Sequence, residues 1–162
     1  MTAIFFIGGL VAFPIGPGSV HLMLSGLVGL LLGWVAMPAI AVGLLMQALL
    51  FGFGGLTSLG VNVFNIGAPA LLIGLMFSPL LRRVKTARSV FILASLAGGL
   101  GPLITACLVY LVLRLSAEEY LVAANLIWLT YWPLIIIESM VTGVIVAFVT
   151  RVAPDLMTGE RS

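Results

Sequence analysis

The 162-residue chain carries very little charge: seven Lys and Arg and five Asp and Glu, 7% of the residues, where a soluble domain has about 25%. So little polar surface cannot cover a water-soluble globule, and a mean hydropathy of +1.32 leaves the bilayer as the fitting solvent. A formal net charge of +2 excludes the basic face that nucleic-acid binding needs. The single cysteine, Cys107, lies inside an apolar run. It supplies neither a disulfide nor a thiolate metal site and reads as a small packing residue. One histidine and five carboxylates give little capacity for acid–base chemistry. No phosphate-cradling loop of the Walker type occurs, so ATP binding by this chain is excluded and nothing reads as an enzyme. A secretory signal would need a basic region ahead of its apolar stretch. Here Met1 and Thr2 lead straight into apolar sequence.

What the chain has instead is long apolar runs. The fold class they imply is all-α, a polytopic transmembrane bundle of about six helices forming one domain over residues 1–162. The expected helices cover residues 2–13, 20–34, 38–51, 60–81, 87–113 and 132–152, and 118–129 reads as a partial or interfacial helix. Pro14, Gly16, Pro17 and Gly18 break the chain after the first helix, and Gly52, Gly54 and Gly55 end the third. Gly98, Gly99, Gly101 and Pro102 are expected to kink the fifth. The 19 glycines suit close helix approach in a membrane. The first helix, about 18 Å long, is too short for a core of about 30 Å. The second and third are also short, as broken helices shielded by protein can be.

Arg82, Arg83, Lys85 and Arg88 fall between the fourth and fifth helices, and Arg151 and Arg161 at the end of the chain; only Arg114 lies elsewhere. An even number of spans separates the two groups, so the positive-inside rule makes loop 82–88 and the C-terminus cytoplasmic. The Pro/Gly turn before His21 and the loop Gly54-Gly55-Leu56-Thr57-Ser58-Leu59-Gly60-Val61-Asn62 then share the outer face, and Met1 falls inside.

His21 is the one imidazole, a donor suited to nickel, cobalt, zinc and copper. Its structural alternative is a backbone hydrogen bond. Gln47, Asn62 and Asn65 are polar groups at membrane depth; the two asparagines, three apart, share a helical face. They either shape a pocket under the outer loop or bond helix to helix. Glu138 lies within the last apolar run with Tyr131, Ile135 and Thr142 on its face. A buried acid there is a candidate functional group, with a bond to another helix as the structural alternative.

The stretch Gly16-Pro17-Gly18-Ser19-Val20-His21-Leu22, then Gln47 through Asn65 with its Gly54-Gly55-Leu56-Thr57-Ser58-Leu59-Gly60 core, resembles the CbiM/NikM family. Trp132-Pro133-Leu134, Glu138 and Thr142 are similar to that family's last helix. The resemblance implies the substrate-specific subunit of an energy-coupling-factor importer for Co²⁺ or Ni²⁺, the ions being substrate and no cofactor being bound permanently. It implies a transmembrane coupling protein and a pair of cytoplasmic ATPases as partners, with a small auxiliary membrane subunit besides, in the inner membrane. It assigns His21 as a metal ligand, and Ser19, Gln47, Asn62, Asn65 and Glu138 are the expected surrounding pocket.

In the family the ligand set also includes the amino terminus and a histidine next to the initiator methionine. This chain begins Met1-Thr2-Ala3. With the short first helix, that leads to the expectation of a reading frame that starts part-way through a longer protein. Two alternatives stand beside the metal transporter. One is a vitamin-specific subunit of the same transporter class, using Trp128, Tyr131 and Trp132. The other is a degenerate, non-transporting membrane partner.

Overall fold

The computed structural model describes residues 2–10, 12–15, 18–84, 86–116 and 120–152. Helix α1 (Thr2–Gly8) leads into a two-stranded antiparallel ribbon of β1 (Ala12–Ile15) and β2 (Gly18–His21). Helix α2 (Ser25–Leu32) follows, then a 3-10 turn (Gly33–Val35) and helix α3 (Ala36–Phe51). Three long helices complete the chain: α4 (Leu59–Arg83), α5 (Ala87–Ser116) and α6 (Leu121–Val152). The class is helical and membrane-spanning, as expected. The helix count is corrected: among the described residues four segments are long and apolar enough to cross a membrane.

The differences have local causes. The expected helix over 2–13 stops at Gly8, and 12–15 turn into a strand whose Ala12 faces His21 and whose Ile15 faces Gly18. Apolar periodicity cannot distinguish helix from ribbon over so few residues. The described α1, at seven residues, is about 10 Å long and crosses nothing. The expected break between 118–129 and 132–152 is absent, because α6 runs continuously through Pro133. Membrane helices tolerate proline where neighbours or water satisfy the freed carbonyl. Helix α5 likewise continues through the Gly98–Pro102 stretch.

The segment Ser25–Phe51 is 27 residues long, about 40 Å if straight. It is not straight. Gly33 turns the chain at φ +53, and the rings of His21 and Phe53, on either side of the segment, lie 4.8 Å apart. The chain therefore enters the bundle and comes back to the same end. Residues 25–30 of α2 are all buried, which is how a short helix is accommodated at membrane depth.

Two apolar clusters hold the bundle. Leu27, Leu30, Ile73, Val90, Ala97 and Val146 join α2 to the long helices; Phe5, Val28, Ala36, Ile40 and Ala70 join α1, α2, α3 and α4. At Gly98 three helices meet. A β-carbon there would stand 2.5 Å from Thr142 Cβ and 2.7 Å from the Glu138 carbonyl on α6, and the Gly98 Cα is itself 2.6 Å from where a Gly26 β-carbon would be. Small residues permit that approach. The outward faces carry Met76, Leu129, Met140 and Phe148, all exposed, as lipid contact requires.

Candidate functional site

The candidate site is built around the returning segment. Strand β2 delivers His21 beside the end of α1, where its Nδ1 lies 2.9 Å from the Gly9 carbonyl oxygen. A carbonyl only accepts, so Nδ1 carries the proton and Nε2 keeps its lone pair for a ligand. The ring packs on Phe53, which stacks on Phe51 with centroids 5.7 Å apart, and Phe51 meets Phe6 at 5.9 Å.

Phe53 owes its place to the end of α3. Gly52 turns left-handed at φ +70. Its N–H returns to the carbonyls of Ala48 and Gln47, and the Phe53 N–H reaches Gln47 at 3.3 Å. Gly54 and Gly55 continue with φ +73 and +65, values that side chains with a β-carbon rarely adopt. Ser58 Oγ donates to the Gly54 carbonyl, and Asn62 Nδ2 lies 3.5 Å from Ser58 Oγ. The glycine-rich loop is thus tied down by its own polar residues.

A cavity of about 670 Å³ opens here, with His21, Gln47, Gly54, Asn62 and Tyr131 in its lining among mainly apolar side chains. Gln47 is buried and its Nε2 donates to the Phe6 carbonyl at 3.3 Å. Of the expected pocket residues, the structure brings together His21, Gln47 and Asn62. Asn65 is buried but is not in the lining; its carbonyl accepts Thr105 Oγ1 from α5 at 2.9 Å. The Ser19 side chain lies outside the described residues, as do Lys85 and Arg161 of the orientation count.

Glu138 is fully buried and does not line the cavity. Its Oε1 accepts the Met23 N–H and, at 3.0 Å, the Leu24 N–H. Those amides open α2, which has no side-chain cap from its own sequence. The carboxylate serves as a cap supplied from 114 residues away, placed where a helix N-terminus favours negative charge. Leu24 is held there at φ +47, the one non-glycine residue with positive φ among those described.

Among the described residues no group of three His, Cys, Asp or Glu side chains could hold a metal ion. His21 is one imidazole donor, with the amides of Gln47 and Asn62 nearby in the lining. Of the aromatics suggested for a vitamin pocket only Tyr131 lines the cavity; Trp128 and Trp132 meet edge-on at 6.3 Å, and Trp128 packs on Tyr110 at 6.0 Å. Sequence inspection overlooked Phe53 as a support for His21, although it sits inside the quoted motif, and Gly9 as its hydrogen-bond partner. Removing the ring in Phe53→Ala forfeits about 1 kcal/mol of aromatic packing. A roughly fivefold weaker ligand affinity at His21 is expected, read by titration against wild type.

A family described as the "Cobalt uptake substrate-specific transmembrane region" matches residues 1–156. A candidate metal transport protein of Haemophilus influenzae is 33% identical over 160 residues, covering 96% of this chain and 76% of that protein. A candidate fused nickel transport protein, NikMN, of Archaeoglobus fulgidus is 27% identical, covering 97% of this chain and 54% of that protein. The cobalt transport protein CbiM of Desulforamulus reducens is 29% identical over 139 residues, covering 83% of this chain and 56% of that protein. The chain thus spans between about half and three quarters of these relatives. No solved structure matches it significantly.

Proposed function

The chain belongs to the CbiM family, and from that premise we propose that it is the substrate-specific subunit of an energy-coupling-factor importer that captures Co²⁺ or Ni²⁺ at His21. The observation that carries this reading is the fixed imidazole. His21 sits at the cavity with Nδ1 committed to Gly9, and Nε2 is the nitrogen left to meet an incoming ion. A borderline nitrogen donor favours Ni²⁺ and Co²⁺ over Mg²⁺ and Ca²⁺, which prefer oxygen. Gln47, Asn62 and the glycine-rich loop form the polar part of the pocket. The site takes its ion from outside the cell, with Arg82, Arg83 and Arg88 of the opposite loop facing the cytoplasm of an inner-membrane protein. Energy comes from ATP hydrolysed on a cytoplasmic ATPase pair, transmitted by a transmembrane coupling protein, with a small membrane subunit assisting.

The test is calorimetric titration of the protein, purified in detergent from its own membrane, with cobalt and nickel chloride and with magnesium chloride as control. Saturable binding of either transition metal and none of magnesium is expected. Absence of binding to both overturns the reading.

The cavity favours one other reading. About 670 Å³ of mainly apolar space lies within the range of about 300–1,000 Å³ typical of small organic ligands. A vitamin-sized molecule that survives purification, seen by mass spectrometry of the denatured protein, would support that alternative.

A further inference from the structure

We propose that Glu138 is the positioning residue for His21: from the middle of α6 it fixes the backbone that aims the imidazole into the cavity. The inference rests on the metal-capture reading for its functional consequence, and on geometry alone for its structural one.

Met23 and Leu24 follow His21 by two and three residues, and both of their N–H groups converge on one carboxylate oxygen of Glu138. This is the point where the chain leaves strand β2 and turns into α2. Leu24 adopts a left-handed conformation there that a residue with a β-carbon holds only when its surroundings impose it. Without an acceptor, the buried Leu24 amide and the part-buried Met23 amide at the start of a membrane-embedded helix would be unsatisfied. The carboxylate therefore selects this turn over others, and the turn sets the direction in which β2 presents its last residue. On the other side of His21 the Gly9 carbonyl fixes the ring's protonation pattern. The imidazole is thus held at two points: its ring from Gly9, just past α1, and the backbone that follows it from α6. Helix α6 reaches the same cavity through Tyr131, two turns before Glu138, so the element that anchors the ligand also forms part of the wall.

The single histidine in the sequence makes a direct test available. In protein labelled with ¹⁵N-histidine, carrying no histidine tag, the two ring nitrogens of His21 give one resolvable pair of NMR signals. Wild type is expected to show protonated Nδ1 and bare Nε2. In Glu138→Gln the amide oxygen still accepts both N–H groups, and the wild-type pattern is retained. In Glu138→Ala, and in Glu138→Asp, whose shorter arm withdraws the oxygen while keeping the charge, the tautomers are expected to mix. Cobalt or nickel affinity is expected to fall by about 10- to 100-fold, the range for residues that orient a ligand, and to recover in Glu138→Gln. Thermal unfolding and size-exclusion profiles identify any variant that has lost its fold, and Glu138→Asp decides the matter if Glu138→Ala does not fold. Wild-type His21 signals in a folded Glu138→Asp or Glu138→Ala protein overturn the proposal. If wild type binds neither metal, the transport reading fails while the NMR comparison still decides the role of Glu138.

Discussion

His21→Ala is expected to reduce cobalt or nickel affinity by more than about 100-fold while leaving the thermal unfolding midpoint within a few degrees of wild type. Residues that merely orient a ligand cost about 10- to 100-fold when lost, and in the proposed site His21 is one step closer to the ion. The mutation should be mild for the fold. What disappears is one hydrogen bond to Gly9, net about 1 kcal/mol, and one contact with Phe53. No other imidazole in the chain can substitute. Calorimetric titration of both proteins, with unfolding scans in the same detergent, separates the two effects. Equal affinity in mutant and wild type would remove His21 from the site and leave the family's metal chemistry to groups elsewhere.

The second large effect concerns stability. Gly98→Leu is expected to destabilise the bundle by about 3 kcal/mol, at the upper end for overpacking, and to lower the yield of folded protein. The position is surrounded by backbone and by a branched side chain: the Glu138 carbonyl and Thr142 Cβ on α6, with Gly26 of α2 on its other side. None of these is the far end of a flexible side chain that can swing away. Gly98→Ala provides the graded control, with a smaller loss. Because Glu138 lies on the displaced helix, metal affinity should fall together with stability. Wild-type unfolding of Gly98→Leu would mean that the three helices are not in contact there.

The long helices were legible because sharp chemical boundaries frame them. The expected 60–81 and 87–113 differ from α4 (Leu59–Arg83) and α5 (Ala87–Ser116) by no more than three residues at any end, since arginines and the Arg83–Ala87 loop interrupt the apolar runs. Residues 12–21 were not legible as a ribbon. Alanine, phenylalanine, isoleucine and valine are as suitable for a strand as for a membrane helix, and no charge marks the change. The gap expected between 118–129 and 132–152 is closed in α6, which runs from Leu121 to Val152 with Pro133 inside it.

Within the site, His21 and the glycine-rich loop could be paired from span parity and motif. The partner of Glu138 could not. Its partners are the N–H groups of Met23 and Leu24, and every residue except proline has such a group, so no residue identity announces the contact. The separation of Asn62 from Asn65, its neighbour one turn on, was equally hidden, for helical periodicity puts both on one side without saying where the cavity wall ends.

The return of residues 25–51 to their starting point decides which compartment the imidazole samples. Counted by hydropathy as one crossing, the segment would put His21 in the same compartment as Arg82 and Arg83. As a re-entrant turn it contributes no crossing, and the histidine and the basic loop are in different compartments. With the basic loop inside, as proposed above, a membrane-impermeant thiol reagent applied to intact cells is expected to label a cysteine placed at Thr57 but not one placed at Thr86. Whether His21 and the basic loop share a side of the membrane thus depends on Gly33, the glycine at which the chain turns back.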